Sequence, residues 1–190
     1  MNRDEAWNIL CEYTKGPPLR KHGLAVEAAM RAYAREYGED EETWGIVGLL
    51  HDFDFEMHPT AEEHPAKGAP ILRERGVPEA IVHAVLCHAP YLEALGVQRE
   101  NMMDRTIYAV DELTGFITAV ALVRPNKSID EVDVRAVRKK MKDKGFARTV
   151  NRDDITGGAE VLDVDLDEHI AFVIEALKPV AGELGIGGKG

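Results

Sequence analysis

Cysteine is scarce in this chain. Cys11 and Cys87 are the two thiols, far apart and outside any close-spaced motif, which argues against a disulfide framework, disfavours a thiolate-held structural metal, and fits a reducing compartment. Positive charge is short as well. Lys and Arg number 23 against 34 Asp and Glu, so the net charge is −11 and no broad basic face for a nucleic-acid polymer is expected. A small phosphate ester is not excluded, because a bound metal and a few local cations can reverse the field inside one pocket. No apolar run approaches the roughly 20 residues of a membrane span. The first residues, MNRDEAWNIL, carry acids where a signal peptide needs a basic flank and an apolar run. The expectation is a soluble cytoplasmic protein without a membrane partner. No alternating apolar run is long enough for a convincing strand, which leaves a helical bundle.

What is present is helical punctuation. Asn2 can cap a short helix through about Tyr13, stopped by Gly16-Pro17-Pro18. A long helix is expected from about Leu19 to Tyr37, ending at Gly38, with Ala25, Val26, Ala29 and Tyr33 on one stripe and His22 on the same line. Glu41 to Leu50, apolar on most sides, reads as a central helix terminated by His51-Asp52. Residues 53 to 64 form an acidic loop with two His-Pro steps. Pro65 is expected to open a helix to Arg75, and Pro78 another reaching His88. A further helix starts near Asn101 and carries Ile107 and Asp111. Whether 111 to 122 continues it or bends at Gly115 stays open. Ser128 to Lys142 reads as one surface helix, Asp165 to Leu177 as an amphipathic one, and the terminal GIGGKG as frayed. At 190 residues, with 45% hydrophobic and 30% charged content, the chain fits one all-α domain.

Six side chains on these helices carry chemistry: His22, His51, Asp52, His64, His88 and Asp111. A charge is kept out of an apolar layer unless something pairs with it, so several such groups near one core imply a cation. Imidazoles with carboxylates suit iron, manganese, zinc, nickel, cobalt or a similar divalent ion. In HGLAVEAA with His22, GLLHDFD with His51-Asp52 and IYAVDELTGF with Asp111, the chain resembles the HD-domain superfamily of metal-dependent phosphohydrolases over roughly residues 20 to 120. HPAKGAPIL with His64 and AIVHAVLCHA with His88 are similar to the variant with two extra histidines, found in bacterial symmetrical diadenosine-tetraphosphate hydrolases and HD-GYP phosphodiesterases. The GYP signature is missing, and the stretch KKMKDKGFARTVNRDDI departs from those branches.

The resemblance implies an all-α helical bundle over 1–190, with a metal-binding core over 20–120 and a C-terminal helical extension over 126–190 packed on it. It implies one or two divalent ions (Fe, Mn, Zn, Ni, Co or Mg). The first would be held by His22, His51, Asp52 and Asp111. Asp52 would bridge to a second ion at His64 and His88. The expected partner is a small phosphorylated substrate, a nucleotide or dinucleotide, and a homodimer is compatible with such a chain. Lys67, one turn after His64, is the preferred cation for the phosphoryl oxygens, although an exposed lysine is the commoner explanation. Asp54 is close enough to touch a bound water or substrate, though solvating its loop is the blander role. His58, His83 and His169 read as surface residues, Arg20 and Lys21 as ambiguous, and KKMKDKGFAR as a solvated helix face. Two rivals stand beside hydrolysis: a diiron oxygenase acting on a small polar molecule, and a domain that binds a ligand without turnover.

Overall fold

Local capping chemistry defines most elements of the computed structural model, which describes residues 1–189. Asn2 and Glu5 form a reciprocal capping box that starts α1 (Arg3–Tyr13). Pro17, whose missing N–H is harmless in a first turn, opens α2 (Pro17–Tyr37), and Gly38 in the left-handed region (φ 71) closes it. The Asp40 carboxylate accepts from the Thr43 N–H and begins α3 (Glu41–Leu50), which is buried from Trp44 to Leu50 and lies at the centre. α4 (Gly68–Glu74) and α5 (Glu79–Cys87) follow, then a 3-10 turn at Pro90–Leu95. A capping box of Asn101 and Asp104 starts the long α6 (Met102–Leu122). The remaining helices are α7 (Val134–Met141), α8 (Arg152–Leu162), α9 (Leu166–Leu177) and α10 (Ala181–Leu184). The fold is all-α, with no strand among the described residues. Among the described residues no helix is long and apolar enough to cross a membrane.

Two glycines set how closely the central helices approach. A Cβ on Gly48 would lie 2.7 Å from the Glu27 backbone, so α3 rides directly on α2. A Cβ on Gly158 would lie 2.7 Å from Ala109 Cα, which does the same for α8 on α6. α6 packs against α2, α5, α8 and α9 and is the spine of the molecule. It does not bend at Gly115. Leu113, Phe116, Ile117 and Val120 are buried on either side of that glycine, and their packing outweighs its weak helix propensity.

Several expectations need correction. Pro65 does not open a helix: residues 60–67 form successive turns tied down through His64, and α4 begins at Gly68. The 128–142 segment is not one helix. Ser128 caps a 3-10 turn (Ile129–Glu131), Val132 is extended, and the Asp133 side chain accepts from the Ala136 N–H to start α7 afresh. Arg152–Leu162, given no helix in advance, is α8. Nor is the segment before Gly190 frayed throughout. Ile186 is 0% exposed, and its carbonyl accepts from the Ile129 N–H at 2.8 Å.

Candidate metal centre

Five structural elements deliver the six predicted side chains to one place. His22 comes from the second turn of α2, His51 is the C-cap of α3 and Asp52 follows it, His64 stands in the turns before α4, His88 is the C-cap of α5, and Asp111 lies midway along α6. Their ligand atoms form two groups sharing one carboxylate: His22, His51, Asp52 and Asp111, and Asp52, His64 and His88. His22 Nε2 is 3.1 Å from His51 Nε2 and 2.9 Å from Asp111 Oδ1. His64 Nε2 is 3.0 Å from His88 Nε2. Asp52 divides its oxygens between the two. Oδ2 lies 3.6 and 3.4 Å from His22 and His51, and Oδ1 lies 2.9 and 3.6 Å from His64 and His88.

The opposite ring nitrogens fix the protonation pattern. His51 Nδ1 faces the Gly48 carbonyl at 2.8 Å and His88 Nδ1 the Val85 carbonyl at 2.5 Å. A carbonyl only accepts, so each Nδ1 carries a hydrogen, and in the neutral ring each Nε2 turns a lone pair inward. His64 Nδ1 sits 2.7 Å from Asp54 Oδ1, a carboxylate–histidine pair of the kind that orients a metal ligand. Nitrogen lone pairs about 3 Å apart in a buried site repel one another unless a cation lies between them. The donor set therefore fits one or two divalent ions.

The electrostatics point the same way. Burial opposes charge on His51, yet Asp52 and Asp111 outweigh it and hold that imidazole well above its ordinary value. Burial also opposes charge on His64, but hydrogen bonds to Asp52 and Asp54 raise it to about 9. His88 goes the other way, down to about 4, through burial and the neighbouring His64. Despite their own burial, Asp52 and Asp111 are held far below the carboxylate range by the surrounding histidines, His51 foremost. The carboxylates thus draw positive charge into the cluster.

Not every predicted residue reaches it. Lys67, the expected phosphate-orienting cation, is exposed, pairs with Glu63 and does not line the pocket beside the cluster. Asp54 neither solvates a loop nor touches the pocket. It is 0% exposed, it grips His64, and Gly68 makes room for it, since a Cβ there would sit 2.4 Å from Asp54 Oδ2. His169 is not a surface residue: at 1% exposure it donates from Nε2 to the Ala109 carbonyl and accepts at Nδ1 from the Tyr33 hydroxyl. His83 is half-buried against Asp104. Arg20 is spent on the Thr14 and Cys11 carbonyls, and Lys21 is exposed. KKMKDKGFAR stays outside the pocket, but the two residues after it, Thr149 and Val150, line it.

The pocket, about 340 Å³, also contains groups that sequence reasoning missed. On the α6–α8 side stand Tyr108, Glu112 and Asp154. Tyr108 donates to Asp154 Oδ1 at 3.1 Å, and Glu112 Oε2 accepts from the Asn151 N–H. Burial, then the adjacent Asp111, pushes Glu112 up to about 7. Phe55, Pro90 and Tyr91 line the pocket as well, and the Tyr91 hydroxyl is buried with no partner. Tyr108 could have been found from its spacing of three to Asp111 on one helix. Asp154 gave no signal, because α8 was not foreseen. Compared with protein families, residues 19–114 match the HD domain model, just over half of the chain. No curated protein and no solved structure matches it.

Proposed function

The chain belongs to the HD domain family, and from that premise we propose that it is a metal-dependent phosphohydrolase acting on a small phosphate ester. The observation that carries this reading is Asp52, whose two oxygens each face a different pair of imidazole nitrogens. One carboxylate so placed suits two ions a short distance apart. Held by these six residues, such ions would supply an activated water and offset the charge on the phosphoryl oxygens. The protein's own contribution is orientation. The Nδ1 contacts of His51, His64 and His88 lock the rings, and Phe55 and Pro90 line the pocket beside them. Burial pushes Tyr91 up to about 12, so its hydroxyl stays protonated and is the donor for a non-bridging oxygen, the part first given to Lys67.

The pocket narrows the substrate class. Among the described residues no lysine or arginine lines it, and Asp52, Asp111, Glu112 and Asp154 do. At about 340 Å³ it is at the small end for ligand sites. A single phosphoryl group on a compact alcohol, up to a nucleoside monophosphate, suits that volume and charge better than a dinucleoside polyphosphate. The test is phosphate release by metal-loaded protein across monoesters, diesters and polyphosphates. Turnover of monoesters is expected, and a fully metal-loaded protein inert across the panel would refute the reading. The lack of a basic side chain also favours a second reading, an iron-dependent oxygenase of a small polar molecule. Oxygen uptake by iron-loaded protein separates the two.

A further inference from the structure

A different donor set lies outside the pocket, where α5 meets the start of α6. His83 and Cys87 are four residues apart on α5, hence on one face, and Asp104 stands in the first turn of α6. Their ligand atoms all lie within 4.8 Å of one another. Cys87 Sγ is 3.6 Å from His83 Nδ1 and 3.5 Å from the Gln98 carbonyl oxygen, and His83 Nδ1 is 3.2 Å from Asp104 Oδ2. Zinc bonded tetrahedrally at ordinary lengths spaces its ligands by roughly 3.6 Å from sulfur to nitrogen or oxygen and roughly 3.4 Å from nitrogen to oxygen. The observed edges fall within about 0.2 Å of that figure.

The second observation is Asp104 itself. It is 0% exposed, its Oδ1 is buried with no hydrogen-bond partner, and its Oδ2 already accepts from the Glu100 and Asn101 N–H groups. An orphan oxygen on a fully buried carboxylate is costly. Among the described residues no lysine or arginine pairs with it. Arg99, the nearby cation, is taken up by the Cys87 carbonyl, Glu93 and the Tyr108 ring. The paired residue is His83, half-buried and so open to an ion arriving from solvent.

We propose that His83, Cys87 and Asp104, completed by the Gln98 carbonyl, form a structural zinc site that clamps α5 onto the first turn of α6. The scarcity of cysteine does not stand in the way, since one sulfur among harder donors suffices. Binding converts the Cys87 thiol to a zinc-bound thiolate and releases its proton to solvent. Cys87 immediately precedes His88, so the clamp also steadies the helix end that presents a pocket histidine.

Cobalt(II) is the probe, because a thiolate ligand gives a near-ultraviolet charge-transfer band and none of the six pocket ligands contains sulfur. Metal-free full-length protein titrated with cobalt is expected to develop that band, to keep it in Cys11→Ser and Asp52→Ala, and to lose it in Cys87→Ser. Zinc content should fall by one ion per chain in the last variant. Should Cys87→Ser fail to fold, His83→Ala is expected to weaken formation of the band by more than about tenfold, since losing even an orienting partner of a ligand costs that much. A folded wild type without the band at saturating cobalt, a band surviving in Cys87→Ser, or unchanged affinity in His83→Ala would each overturn the proposal.

Discussion

Asp52 is the carboxylate that faces both imidazole pairs, so its removal should act on both at once. Asp52→Ala is expected to lose pocket metal and turnover together while keeping the helical circular dichroism of the wild type, and a variant that retains full metal would refute the shared-carboxylate reading. His64→Ala or His88→Ala should lower the pocket stoichiometry by about one ion in a two-metal scheme. Asp54 never reaches the pocket, yet it holds the His64 ring by its far nitrogen. Asp54→Asn should therefore weaken binding at the His64–His88 side about 10- to 100-fold, as loss of an orienting partner does, and leave the other side intact. Calorimetric titration of both variants reads the difference. His169 gives a pH signature. Burial keeps it below its ordinary value of 6.5, and it works as a neutral ring between Tyr33 and Ala109. The unfolded state takes up its proton first as pH falls, so the contribution is complete above pH 6.5 and shrinks below it. His169→Gln should cost about 1–3 kcal/mol at pH 8, and the gap to wild type should narrow on acidification. Urea melts at several pH values check the sign.

At the scale of elements, the close helix crossings are the sensitive points. In Gly48→Ala the new carbon would meet the Glu27 backbone at 2.7 Å, and neither partner is a flexible side chain. A loss of roughly 3 kcal/mol or more in a denaturant melt is expected, the upper end for overpacking, with weakened metal binding because the same contact sets His51 against His22. Most helix starts were legible because they rest on local chemistry. Asn2, Asp40, Asn101 and Asp165 each bond an N–H within their own first turn. The histidines and aspartates of the cluster were legible because motif and period agreed at His22, His51-Asp52 and Asp111. What failed depends on distant partners. Pro65 looks like a helix start until His64 is seen pinned by Asp54 and Asp52. His169 looks exposed until Tyr33, far away in sequence, is set against it. Glu112 and Asp154 become pocket walls only when α8 docks on α6, a contact set by Gly158 against Ala109.

At the scale of the molecule, the C-terminal turn closes on the segment after α6. Ile186 is wholly buried and its carbonyl holds Ile129, so Ile186→Ala should cost roughly 2–5 kcal/mol in thermal or denaturant unfolding, far more than a frayed end would. A further consequence comes from where two of the cluster's imidazole rings sit. His51 and His88 both cap the C-terminal ends of helices, α3 and α5, and these ends converge on the pocket. Aligned peptide dipoles gather about half a negative charge at each such end. Together with Asp52 and Asp111, they make the pocket's field hostile to anions until cations offset it. On the proposed reading, arrival would have an order, cation before phosphate, with the availability of metal gating substrate capture as well as the chemical step. Chelated protein should give no heat with inorganic phosphate in a calorimeter, and prior addition of the divalent ion should restore it.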